Sequence, residues 1–270
     1  MEQQQQQQQQ DFAAKSLSVF LLSHGGGLLA GDNISLNIKV KEGASLCATS
    51  FSTAKAFKPK VSYGSEAKSI ENKWIRTSTT CGVEKNGLLA LCPQPTQCFR
   101  GSYLERKNKV TLDSDGTSSL LLVDWYTGGR ANHDGGLWQM NLMHSSTDVL
   151  LANRNTINGD ERLAFRDVTK LNGGEMLNRH MRGFNVVAMV LLIGPRVQTV
   201  IDKLLKACCA RSKFELEDIA GDKMNKTDEG MNKNGLVVSC GPLTISKNIE
   251  DGMIVRLCSY SIEQTGTTCK

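Results

Sequence analysis

The sequence predicts a mainly β protein with one or two short helices, and three observations carry that expectation. Ile34, Leu36, Ile38 and Val40 alternate with Asn33, Ser35, Asn37 and Lys39 in the period of two that marks a strand with one buried face. Val186–Ile193, "VVAMVLLI", is eight apolar residues long. That is less than half a membrane span, so it reads as a strand buried on both faces. Elsewhere, short apolar runs bounded by Gly, Asp, Asn or Ser recur roughly once every ten residues.

Taken in order, Gln3 to Gln10 is a low-complexity run with nothing to build a core. Residues 1–16 therefore read as a disordered Gln-rich tail ahead of one β domain over 17–270. Leu17 to Leu22 is an apolar strand that runs into "SHGGGLLAGD", Ser23 to Asp32. Glu42-Gly43 turns the Ile34–Val40 strand into another over Ala44–Ser50, which suggests a meander. Residues 58–87 are polar and read as loops or edge strands. Val110–Leu112, Ser119–Trp125 and Val149–Ala152 continue the strand theme. After Gly194-Pro195, the residues Val197, Val200, Ile201, Leu204, Leu205 and Cys208 repeat at three and four, predicting a helix that caps one end of the core. Residues 220–235 read as a solvated loop, and the last strands are Leu236–Val238, Leu243–Ile245 and Met253–Cys258.

Composition narrows the function. With 270 residues, 40% of them hydrophobic, the chain can bury a sizeable core. The net charge of +5 comes from 32 dispersed cations among 27 acids, with 6% aromatics, so nucleic acid is not indicated. The nine cysteines are an odd number and no secretion signal precedes them, so reduced cytoplasmic thiols are expected. No membrane span is present.

The glycine-rich stretch raises a nucleotide reading and then argues against it. Gly25-x-Gly27-x-x-Ala30 fits a loose dinucleotide fingerprint, and Gly26 and Gly31 have P-loop spacing, but Asp32-Asn33 stands where Lys-Ser/Thr belongs. Both fingerprints need a helix next, and a strand follows. The stretch is a tight turn. There is no Cys-x-x-Cys, His-Glu-x-x-His or Gly-x-Ser-x-Gly, and His24, His133, His144 and His180 lie far apart. His133-Asp134 reads as turn chemistry. Cys208 fits the apolar face of the helix, beside Cys209. Cys92 and Cys98 flank a Pro-rich turn, and a thiol enzyme would draw its nucleophile from these two, with Arg100 near Cys98 to lower the thiol pKa. A structural β-solenoid binding protein is the other rival class.

Four ordered blocks carry a resemblance. "GGLLAGDNISLNIKVKEGASLCATSFSTAK" resembles the UreD (UreH) type of urease accessory protein, whose Gly-Gly-x-x-x-Gly-Asp turn precedes an alternating strand, a Gly-Ala turn and a Thr-Thr-Gln-x-x-Thr-Lys segment. The matching residues are Gly26, Gly27, Gly31, Asp32, Gly43, Ala44, Thr49 and Lys55, while Ser50, Phe51 and Ala54 depart. "GLLALCPQPTQCF", Gly87 to Phe99, looks like the family's Leu-x-Pro-Asp-Pro segment with Gln94 in place of Asp. "LLLVDWYTGGRA" is similar to its Asp-Trp-x-Thr-Ser-Gly-Arg signature through Asp124, Trp125, Thr127, Gly129 and Arg130, with Gly128 replacing Ser. "MRGFNVVAMVLLIGPRV", Met181 to Val197, is close to eukaryotic, plant-like members. Against the family pattern the chain reads as truncated at both ends.

The resemblance implies a β-helix-like fold of stacked strands and a non-enzymatic nickel-insertion chaperone. Such a protein binds urease apoprotein and joins a UreF-type accessory protein and a UreG-type GTPase. No tightly bound cofactor is expected, only nickel in transit through an internal passage, because transit requires weak binding. Hard oxygen ligands suit Ni²⁺ in passage, which selects Asp32, Asp124 and Thr49 as candidates. Asp124 and Trp125 point to opposite strand faces. Trp125 is expected inside, and Asp124 toward solvent, a partner or the passage. Arg130 either positions a partner's carboxylate or braces its loop.

Overall fold

The computed structural model describes residues 16–22, 25–60, 73–153, 160–206, 236–245 and 252–260. Within them lie fourteen strands, β1 (Ser16–Leu21), β2 (Asn33–Val40), β3 (Ser45–Ser50), β4 (Ala54–Ala56), β5 (Ile75–Val83), β6 (Leu88–Cys92), β7 (Thr96–Cys98), β8 (Tyr103–Asp113), β9 (Ser119–Thr127), β10 (Leu142–Ala152), β11 (Glu161–Asn172), β12 (Val186–Ile193), β13 (Leu236–Leu243) and β14 (Gly252–Ser259). Helices α1 (Ala131–Asp134) and α2 (Glu175–His180) are short. A 3-10 turn, Pro195–Val197, leads into a third helix over 198–206 (α3). The fold is mainly β, as the alternation and apolar runs predict.

Two mixed sheets face each other. Sheet A runs β1-β3-β6-β9-β12-β14-β13, with β4 and β7 alongside, and sheet B runs β11-β10-β8-β5-β2. The chain crosses from one sheet to the other and back, so β1, β3, β6 and β9 stack in parallel in A while β2, β5, β8 and β10 stack in parallel in B. Winding of this kind is β-helix-like. β2 and β3 therefore sit in different sheets, which corrects the expected meander: the Glu42-Gly43 turn, with Gly43 at φ 67, passes the chain between layers.

The inner faces enclose Val83, Leu89, Val110, Leu112, Leu120, Leu122, Val149, Leu191 and Ile193. β12 is buried on both faces, because its other side packs Val186, Ala188 and Leu192 under Val197 and Ile201. α3 thus covers the outer face of sheet A instead of capping an end, and Val200 points away at 42% exposure. Gly194 starts this segment at φ 94, where a Cβ would lie 2.2 Å from the Ser118 carbonyl oxygen.

Other expectations need correction. β5, inside the region read as loops or edges, is a central strand between β2 and β8. Val110–Leu112 and Val149–Ala152 are only the apolar ends of the eleven-residue strands β8 and β10, and β11 was not anticipated. Leu236–Val238 and Leu243 belong to one strand. Cys240 is disulfide-bonded, against the expectation of free thiols throughout. The expected tail and the loop at 220–235 lie outside the described residues, apart from Ser16, which opens β1; so does Cys208. Among the described residues no helix is long and apolar enough to cross a membrane.

Candidate functional site

The inner faces are not apolar throughout. One end of the interior packs Ile75, Leu104, Tyr126 and Met143, with Leu171 partly buried. The other packs Cys81, Val83, Val110, Leu112, Leu122 and Val149, with Phe165 partly buried. Between these clusters, on the inward faces of β5, β8, β10 and β11, the intervening side chains are polar. Thr77, Arg106, Ser145 and Thr169 form one register row of sheet B, and Thr79, Asn108, Thr147 and Asp167 form the next. Asp124 lies opposite, between Leu122 and Tyr126 of β9.

This layer is hydrogen-bonded across the two sheets. The Arg106 guanidinium donates to the Asp124 carboxylate and to the Thr96 hydroxyl, and the Ser145 hydroxyl donates to Asp124 Oδ2 at 2.6 Å. Asn108 donates to Thr147 at 3.2 Å. Arg256 reaches Asp167 at 2.6 Å. The side chains of Arg106 and Asp124 are only 15% and 6% exposed, so each offsets the desolvation cost of the other. Burial pushes the Tyr126 phenol up, and Thr169 hydrogen-bonds to it. The Thr77 hydroxyl is buried without a partner.

Asp124 is thus buried at 5% exposure and engaged inside, so of the three directions expected for it, solvent, a partner or the interior, it takes the last. Trp125 faces the other way, buried beneath α3, and its Nε1–H donates to the Pro93 carbonyl at 2.6 Å. The other two proposed metal-passage residues lie elsewhere. Asp32 Oδ2 accepts the Leu29 N–H at 2.7 Å and closes its own turn, while Thr49 donates to the Cys92 carbonyl at 2.7 Å. Among the described residues no three His, Cys, Asp or Glu side chains gather to hold a metal. Sequence reasoning missed Arg106, Ser145 and Thr96; a charged residue on the core-facing parity of an alternating strand was the available signal.

The remaining motif residues converge at one end of β4, β7 and β9. Lys55 pairs in register with Gln97, which donates to the Gly129 carbonyl. Gly27 sits on Lys55, where a Cβ would lie 2.3 Å from the Lys55 carbonyl oxygen. Gly26 has open space around it, and Gly31, at φ 93, bonds to the Trp74 carbonyl. Gly128 leaves room for the Trp138 indole, 2.9 Å from a would-be Cβ, and Gly129 at φ 97 lies against the Cys98 carbonyl. Thr127 is fully buried. Arg130 stacks over the Phe99 ring at 4.1 Å and pairs with Asp134 at 3.2 Å.

The thiols at this end are inert. Burial pushes Cys98 up to about 12; Arg106, not Arg100, is the cation that opposes this, and Asp124 works against Arg106. A neutral, enclosed thiol is a poor nucleophile.

Fold and site together define a two-layer, coil-stacked β protein whose polar side chains are organised as internal braces. The family described as UreD urease accessory protein matches residues 3–268. The chain belongs to that family and is a urease accessory protein by membership. It is 24% identical to urease accessory protein D of Oryza sativa subsp. indica, covering 91% of this chain and 74% of that one. It is 26% identical to urease accessory protein 4 of Cryptococcus neoformans, covering 75% and 66%. It is 30% identical to urease accessory protein UreD of Sorangium cellulosum, covering 69% and 53%.

Proposed function

We propose that this chain is a non-enzymatic, cytoplasmic chaperone for nickel insertion into urease, acting on the urease apoprotein together with UreF-type and UreG-type partners. Membership of the UreD family over residues 3–268 carries this reading. The interior layer supports a passage role for it: its donors are carboxylate and hydroxyl oxygens, which suit a hard or borderline cation. Of the three candidates Asp124 is the one that faces this layer, bonded by Ser145 and sharing Arg106 with Thr96. Asp32 and Thr49 serve as turn and brace. Nickel as cargo requires weak ligation, and a layer of hydroxyls with two carboxylates, Asp124 and Asp167, each already paired with an arginine, supplies that.

A scaffold role without metal contact is the second reading, and the occupation of Asp124 by Arg106 favours it. Urease activity in a strain lacking this accessory protein, restored by the chain and read beside soluble expression, tests the proposal. Co-purification with urease apoprotein is the companion measurement. Full activation by an Arg106→Met, Asp124→Leu double variant, which removes the carboxylate and keeps the layer packed, would leave the scaffold reading in its place.

A further inference from the structure

Among the described residues, several surface cations are held in ion pairs. On the outer face of sheet B, Arg76 and Lys107 share Glu105, Lys109 holds Glu161, and Arg166 holds Asp148. The end formed by β4, β7 and the 128–136 loop gathers cations without such partners. Lys55, Lys58 and Arg100 are exposed, and none of them has an ion-pair partner among the described residues. Lys58 Cβ lies against Gly101, which follows Arg100 in the chain, and the Arg100 guanidinium lies against Gly135, each 3.4 Å from where a Cβ would stand; Lys55 pairs in register with Gln97, which bonds to Gly129. Arg130 lies on Phe99, the residue before Arg100, 45% exposed and paired among the described residues only with the buried Asp134.

We propose that this surface docks an acidic segment of a partner protein. Four cations against one buried acid leave a positive field that no internal carboxylate cancels. Their backbone is fixed, because the glycines at 27, 128 and 129 have no room for a side chain and Phe57 and Phe99 stack edge to face at 5.1 Å. The cations are thus presented without the ordering cost of a mobile loop. The Arg130 and Arg100 forks suit carboxylates. A nucleic acid fits less well: Phe99 is 5% exposed and offers no open ring for a base.

The inference rests on the accessory role only for the partner's identity, so its test uses a probe independent of urease. A fluorescent oligoglutamate peptide is titrated against the full chain at rising salt. Affinity should fall steeply with salt, and Lys58→Glu with Arg100→Glu should weaken binding about tenfold or more. Lys107→Glu with Lys109→Glu, on sheet B, should leave binding within about twofold, since those cations are already neutralised. Equal loss in both pairs, no binding at low salt, or tighter binding of a single-stranded oligonucleotide at this same surface would overturn the proposal. Urease activation in the deletion strain, read separately, tests the accessory role itself.

Discussion

Arg106 of sheet B and Asp124 of sheet A form a buried ion pair that ties the two layers together across the middle of the interior. Removing one partner strands the other charge in a dry environment. Asp124→Ala should cost about 3–5 kcal/mol, enough to reduce soluble protein. Arg106→Met with Asp124→Leu should recover most of that loss. Urea unfolding of the wild type, Arg106→Met, Asp124→Leu and the double variant as a double-mutant cycle checks it, and additive single losses would show that the pair is not coupled.

On the opposite face of β9, Trp125→Ala should destabilise by about 3–5 kcal/mol, since it opens a cavity under α3 and leaves the Pro93 carbonyl without its donor. Trp125→Phe, which keeps most of the volume, should cost about 1–3 kcal/mol through the unmatched carbonyl. Near-equal losses in the two variants would place the energy in the hydrogen bond instead of the packing.

Glycine substitutions should separate by position. Gly27→Ala and Gly129→Ala meet backbone carbonyls at 2.3 and 2.7 Å with positive φ, and both should fall below wild type in soluble yield. Gly128→Ser, the residue expected from the family pattern, would press on the Trp138 indole and should cost about 1–3 kcal/mol. Gly26→Ala has open space and should be neutral. Thermal midpoints of the four variants provide the comparison.

The buried thiols set an alkaline limit. Burial raises Cys81 and Cys98 from 9.0 to about 12. The folded state then keeps protons that the unfolded chain releases. Their contribution is complete below pH 9 and is lost as pH rises from 9 toward 12. Stability should decline over that window, and Cys98→Ala should flatten the decline whatever its effect at neutral pH. A pH series of urea midpoints reads the slope; an unchanged slope would mean that Cys98 ionises as freely when folded.

For the isolated chain, Ni²⁺ affinity should be micromolar or weaker, since no three-ligand cluster occurs among the described residues. Calorimetry on the purified protein measures it. Nanomolar binding abolished by His133→Ala would replace passage with storage.

Sequence by itself determined the features that depend on neighbours in the chain. The alternation of β2, the two-faced burial of β12, the glycine turns, the helix start after Gly194-Pro195 and the inward position of Trp125 were all legible, because side-chain parity and positive φ are local properties. Apart from β2, the strands of sheet B were not: Thr77, Arg106, Ser145, Thr147 and Asp167 face inward and erase the alternation that identifies a strand. Only the tertiary structure could supply the reason for Arg106, Ser145, Thr147 and Asp167, since each bonds a partner distant in sequence or on the opposite sheet. The same holds for the pairing of β1 with β3 and β2 with β5, and for the meeting of Lys58, Arg100 and Arg130 at one end. Parallel coils join residues tens of positions apart, and the free energy that selects such pairings comes from packing two sheets together, which no window of sequence contains.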